Sequence, residues 1–314
     1  MPLAAHSAEE TPYQMAWNPA TESMESQMRV LALDCGTRSE VQQVAISEQP
    51  DSFWEYRKRF GEQMWSAKWV YGGIFAATTA IGVVSWDWGS AGFTFKSEGW
   101  FDESTKYGGM DKLGHAFTGY LMSDALTWAI RRNSIDPRGA ELTGALLSVS
   151  LMTYIEIFDG LSAEHGFSYE DLVAGAVGAT FSALRNTYPE LKNKVDFRMQ
   201  YLKSEYGSFE PFGDYEGQKY LVAVKLAGFE ALRDTPLKYV EVQGGYCARG
   251  FSDEEMDAGS HKQQDLFVGI GVNLSELIFG EKASDDHWGK KAGRTVLQYV
   301  QVPYTYVSTS GSGR

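Results

Sequence analysis

Two cysteines in 314 residues, Cys35 and Cys247, cannot build a disulfide framework, and as isolated residues they cannot supply a thiolate zinc site. Bases are also scarce. The 28 Lys and Arg against 41 Asp and Glu leave a net charge of -13, and none of the regions distinguished below carries a basic excess. A nucleic-acid binder needs a cationic face whose contacts release counterions, so nucleic acid is excluded as a partner. Familiar catalytic motifs are missing too. Gly89-Ser90 is not part of a G-x-S-x-G elbow, because Trp88 stands where the first Gly belongs. There is no H-E-x-x-H and no P-loop, and Gly269-Ile270-Gly271 falls inside a strand pattern rather than a strand-to-helix turn. Met1 is followed by neither a basic n-region nor an apolar h-region. The run before Cys35 is too short for a lipoprotein signal, and Asp34 occupies the place of a small residue, so lipid anchoring there is not expected.

What the chain does contain is unevenly distributed. Residues 1–62 are polar and without period, which reads as a mostly disordered leader. Residues 63–192 hold four apolar stretches with helical punctuation. The first, Trp69 to Trp86, has no charge among its apolar residues. The second runs from Lys112 to Ile130 and stops at Arg131-Arg132-Asn133. The third opens on Asp136-Pro137, read as an N-cap with Pro at the first turn, and reaches Phe158. The fourth opens on Ser168-Tyr169-Glu170-Asp171, a capping-box pattern. Ala174/Gly178 and Gly175/Ala179 put small residues four apart, which permits close helix approach. From residue 193 the period shortens. Alternating segments near Tyr220–Leu226, Leu237–Gln243, Leu266–Leu274 and Val296–Val307 read as strands, and Asn193–Tyr206 as another strand or a short helix. The expected fold is therefore α+β: a four-helix bundle over 63–192, an antiparallel β domain over 193–308, and a flexible tail over 309–314. Four or five strands are too few for one chain to close a membrane barrel of eight.

Basic residues precede the first stretch, separate the second from the third, and follow the fourth, while the loop 159–171 has none. Four membrane spans with both ends cytoplasmic would give this alternation, and so would bases placed at helix C-termini. In an up-down bundle the start of the second helix, the end of the third and the start of the fourth share one end. That end collects Asp111, His115, Glu156, Asp159, Ser168 and Asp171, with His165 in the adjoining loop. Such a group suits general acid–base chemistry or a hard or borderline ligand, but its spacing matches no established metal signature, and no metal or cofactor is assigned. A buried polar tie between helices accounts for the same residues.

The ordered segments Asp111-Lys112-Leu113-Gly114-His115, then Glu156, then Gly166-Phe167-Ser168-Tyr169-Glu170-Asp171 and Gly175-Ala176-Val177-Gly178 resemble the YfiM family, bacterial envelope lipoproteins of undetermined function. The order D-K-x-x-H, late Glu, S-x-x-D also resembles the VanZ-like integral membrane proteins. The resemblance covers about residues 95–185. It implies a bacterial envelope location, with Asp111, Lys112, His115, Glu156, Ser168 and Asp171 at the family's motif positions, and it implies no chemistry. The reading that follows is a non-enzymatic, membrane-associated envelope protein. Its polar end faces the periplasm from the inner membrane and meets a lipid or cell-wall component, through Asp111, Lys112, Asp159 and Ser168. Self-association is expected through the β domain. The alternative is a hydrolase or transferase using His115 with Glu156 and Asp171, with or without a metal.

Overall fold

The computed structural model describes residues 53–205, 209–211, 213–257, 259–280 and 288–312; most of the expected polar leader, with Cys35, lies outside them. Residues 57–314 form one contact unit. Five helices lead: α1 (Phe53–Ser66), α2 (Lys68–Ser85), α3 (Met110–Asn133), α4 (Ala140–Asp159) and α5 (Tyr169–Thr187). A short α6 (Pro189–Lys194) then turns the chain into β1 (Val195–Tyr201), so both readings of that ambiguous segment are realised in sequence. β2 (Gln218–Lys225), β3 (Val240–Arg249), β4 (Gln263–Val272) and β5 (Tyr306–Ser312) complete a five-stranded antiparallel sheet in the order β1-β2-β3-β4-β5. The α+β architecture is as expected.

Several local expectations are corrected. Residues 53–62, assigned to the leader, open α1; the run of Arg57, Lys58 and Arg59 obscured a period in which Phe60 reaches the core and Gln63 is buried. The third helix does not begin at an Asp136 cap. Asp136 instead accepts bonds from the backbone and guanidinium of Arg138, and α4 starts after Gly139 in a left-handed conformation. The strand expected over 296–307 is split, because Val296 and Leu297 end a helix, α7 (Trp288–Leu297), and β5 begins only at Tyr306. The tail expected to be loose from 309 is paired with β4 as far as Ser312. Among the described residues α4 is the one helix long and apolar enough to cross a membrane, and half of it is buried within the protein; α1 and α2, bent by 61°, would be a second span if taken together. Four spans are thus not supported. α3 carries Asp111, Lys112 and Asp124 inside the protein, where partners in the fold satisfy them.

α3, α4 and α5 pack closely because their contacts are made by small residues. A Cβ on Gly178 would collide with the carbonyl of Ala116, and one on Gly119 with the carbonyl of Gly175. The sheet then adds to the bundle through one shared aromatic core, in which Phe117 and Tyr120 of α3 and Phe181 of α5 meet Phe197, Tyr220 and Tyr246. The side chains that alternate with these point to the other face of the sheet, and that face is charged. Asp196 is 1% exposed and receives Arg185 Nη2 at 2.8 Å, Arg198 Nη2 at 2.7 Å and Lys225 Nζ at 2.8 Å. Arg198 Nη1 continues to Glu241 at 2.8 Å and Gln301 at 3.1 Å. The free edge of β1 is closed by Tyr299–Gln301: Met199 N–H donates to Tyr299 O at 2.8 Å, and Gln301 N–H to Met199 O at 2.9 Å. The same face holds the small apolar cluster of Leu221, Ala223 and Phe267, and the opposite face, beyond the shared aromatic core, turns further apolar residues outward. Leu266, Val268, Ile270 and Val307 are each more than 60% exposed on one continuous outer face.

Removing one member of a buried ionic group strands the others without compensation, at roughly 3–5 kcal/mol. Asp196→Ala leaves three cations without their shared anion. It is expected to lower unfolding stability by at least that amount in urea titrations followed by circular dichroism, and a loss under about 1 kcal/mol would contradict this role.

Candidate functional site

The end of the bundle where α3 begins, α4 ends and α5 begins is built on two chain reversals. Gly109, left-handed at φ 85°, sends the chain into α3, so Asp111 stands in its first turn rather than at its cap. Ser168 caps α5 by accepting from Asp171 N–H at 3.3 Å. The reciprocal half of the box is diverted: Ser168 N–H donates not to Asp171 but to Glu156 Oε2 at 3.2 Å, which ties α4 to the start of α5. The expected residues thereby converge. Lys112 Nζ lies 2.7 Å from Asp111 Oδ2, 2.8 Å from Asp171 Oδ1 and 3.2 Å from Glu98 Oε2. His115 Nδ1 lies 3.3 Å from Glu156 Oε1, and Nε2 3.9 Å from Asp171 Oδ1. Asp159 stands at the edge, accepting from Trp88 Nε1 at 2.6 Å. His165 is not brought in by hydrogen bonding; its N–H reaches Ser162 in the loop.

Burial governs the electrostatics. Glu156 is 1% exposed, and desolvation, reinforced by the charges of Asp171 and Asp159, pushes its carboxyl up to about 9. It is therefore a neutral acid at pH 7, with a proton available toward His115. Desolvation also raises Asp159, to about 6, against the opposing pull of the Trp88 hydrogen bond and His115. For Lys112 burial alone favours the neutral amine, but Asp171 and Asp111 outweigh it and hold the ammonium charged, its pKa above the ordinary lysine value. One lysine thus serves three carboxylates inside the protein.

Three partners were not anticipated from sequence. Glu98 completes the lysine cage, although it lies in irregular chain before α3. Glu170 is held by Ser97 and Ser168 and fastens that same segment onto α5. Trp88 covers Gly82 of α2, whose missing side chain makes room for the indole. Only the bare hydrogen at Gly82 could have hinted at that contact. The other finding is a cavity of about 170 Å³ beside His115. Its walls are Ile81 and Trp86 from α2 and its end, Met122 from α3, Met152 and Ile155 from α4, and Tyr220 from the sheet, with Gly114 and Thr118 flanking His115 on α3. His115 is the one imidazole among these walls, and behind it stand Glu156 and Asp171.

Residues 97–187 match the model of a family described as predicted periplasmic lipoprotein (DUF2279). No curated protein and no solved structure matches the chain. The matched span holds every residue of the convergent cluster from Glu98 to Asp171, and the description supports placement in the cell envelope.

Glu156 dictates a pH dependence. Its unfolded carboxyl titrates near 4.5 and its folded one near 9, so between those values the folded state keeps a proton that the unfolded state has lost. Its contribution to stability is complete below about 4.5 and falls as the pH rises toward 9. Glu156→Gln keeps the shape and neutrality without the titration. Denaturant melts at pH 9 are expected to show the variant at least about 1 kcal/mol more stable, relative to wild type, than at pH 5. Parallel profiles for the two proteins would refute the assignment.

Proposed function

We propose that this protein is an envelope protein that binds an amphiphile, a lipid or lipid-linked cell-wall group, with the apolar part in the cavity and the polar part at His115, which Glu156 backs. The observation that carries this reading is the composition of the cavity: aliphatic, methionine and aromatic walls that end on an imidazole backed by a neutral carboxylic acid. Apolar surface supplies affinity and a few convergent polar groups fix orientation in sites of this kind. His115 can accept from or donate to a headgroup oxygen, and the buried Glu156 behind it holds the imidazole through the 3.3 Å contact. Lys112, fully engaged with its carboxylates, is left to hold the cluster together. The family match, the YfiM-like and VanZ-like order of motifs, and the envelope location they imply support the reading. A periplasmic exposure of the polar end, as expected from the chain's local charges, belongs to the same proposal.

The rival is a hydrolase or transferase in which His115 acts as acid or base, with Glu156 and Asp171 as its partners. It shares the 3.3 Å His115–Glu156 pair. Only it requires product to form.

The test is titration of the purified chain with a lysophospholipid below its micelle concentration, followed by the fluorescence of Trp86 in the cavity wall. Saturable binding is expected, and Thr118→Trp, which fills the cavity beside His115, is expected to weaken it at least about tenfold, or about 1.4 kcal/mol. Absence of saturable binding, or equal affinity in the filled variant, would overturn the proposal.

The outer face of the sheet supplies the apparatus for membrane association. Val222, Val242, Leu266, Val268, Ile270 and Val307 lie on one face of neighbouring strands and are all exposed, an apolar patch larger than scattered surface residues produce. The double change Val268→Lys/Ile270→Lys is expected to abolish flotation of the protein with phospholipid vesicles. If flotation persists and sedimentation velocity instead shows a dimer becoming a monomer, the face joins two copies of the chain.

A further inference from the structure

Two carboxylate oxygens in the cluster accept no aligned hydrogen bond: Glu156 Oε1 and Asp171 Oδ1. Both side chains are more than nine-tenths buried, at 1% and 6% exposed. The near contacts of the two oxygens are ion-pair ones, Lys112 Nζ at 2.8 Å from Asp171 Oδ1 and His115 Nδ1 at 3.3 Å from Glu156 Oε1. These two do not point away from one another. With His115 they form a set in which one donor atom from each residue lies within 4.8 Å of the other two.

We propose that His115, Glu156 and Asp171 bind one divalent cation of borderline softness, the class to which Zn²⁺ belongs. One imidazole nitrogen and two carboxylate oxygens suit such an ion, which binds by displacing the proton of Glu156, and three protein ligands leave a fourth position open. His115 lines the cavity, so the open position faces the cavity rather than the protein interior. The charge balance agrees. Lys112 contacts Glu98, Asp111 and Asp171, and Lys96 reaches Glu98 at 3.8 Å, so two ammonium groups face three carboxylates and surplus negative charge remains. Lys112 shares Asp171 Oδ1 with the proposed ion, yet it keeps Asp111 at 2.7 Å and Glu98 at 3.2 Å when that oxygen is taken. Glu98, Asp111 and Asp171 also lie close enough to one another to hold an ion. They carry no proposal, because the ammonium of Lys112 already occupies their centre. The metal site goes beyond the amphiphile reading and describes a second state of the same cluster, in which Glu156 is a carboxylate ligand instead of a neutral acid.

The experiment uses the full chain stripped of metal with a chelator. Zn²⁺ is titrated by calorimetry and Co²⁺ by visible absorption. One equivalent is expected to bind, with the Co²⁺ bands of a nitrogen- and oxygen-ligated ion. His115→Ala and Glu156→Gln are each expected to weaken binding at least about tenfold. Lys112→Met, which removes the competing cation, is expected not to weaken it. No saturable equivalent in the folded wild type, or unchanged binding in both ligand variants, overturns the site. Should those variants fail to fold, crystals of the wild type grown with Zn²⁺ decide the matter: an anomalous peak between His115, Glu156 and Asp171 supports the site, and a peak elsewhere or none refutes it.

Discussion

The carboxylate of Asp196 is the point on which the two halves of this fold are joined. Arg185 comes to it from the last long helix, Arg198 from two positions further along the same strand, and Lys225 from the neighbouring strand. Arg185 is wholly buried; it also donates to Tyr120 and lies 3.8 Å from Asp124 on α3. An ionic group of this kind adds little net stability over a well-packed apolar one, since desolvating the charges offsets much of their attraction. Its effect is on uniqueness. Side chains alternate along a strand, so a slip of β1 by one residue would put Asp196 and Arg198 against Phe117 and Phe181 and turn Phe197 into the charged interior. The ion network makes that alternative prohibitive. It holds β1 in the register from which the rest of the sheet is laid down.

The helices were legible in the sequence because their signals are local. Trp69–Trp86, Lys112–Ile130 and the segments ending at Phe158 and beginning at Ser168 correspond to α2 to α5, apart from the start of α4, and the small residues of α5 meet α3 as their spacing suggested. Convergence of Asp111, His115, Glu156 and Asp171 followed from up-down topology alone. What could not be read was whatever depends on a distant partner. Glu98 is an unremarked acid until Lys112 is folded next to it. Arg185 looks like a helix-ending base, and nothing nearby announces that it is buried. The sheet was read as alternating, correctly, but alternation does not say which face lies inside. Here the apolar set of β4 lies outside and the polar set of β1 lies within, the reverse of the usual soluble sheet. Val296 and Leu297 fall in a helix because a short apolar run has no period long enough to separate helix from strand.

The polar end of the bundle shows how a protein can keep acids in its interior without losing control of them. Three carboxylates share one lysine, a fourth is neutralised by a proton, and a fifth, Glu170, is satisfied by hydroxyls from Ser97 and Ser168. His115, at 19% side-chain exposure, is the member of this group that also forms a wall of the cavity, and through it the internal electrostatics are communicated to whatever enters. The aliphatic walls opposite strengthen every polar contact made there by keeping the local dielectric low.

The clasp formed by Tyr299–Gln301 on β1 carries a consequence for how the molecule is assembled. β1 begins at Val195, and the segment that covers its open edge is about a hundred residues downstream. Closing so long a loop is slow because its entropy is lost before any contact compensates. A chain emerging from a ribosome or a pore would complete its helices early, each from neighbouring residues, and then wait with β1 half-paired and its interior ions open to water. Only after residue 301 has appeared can Gln301 reach Arg198 and Gln243. The arrival of Tyr299–Gln301, rather than the formation of the helices, sets the moment at which the edge of β1 is closed.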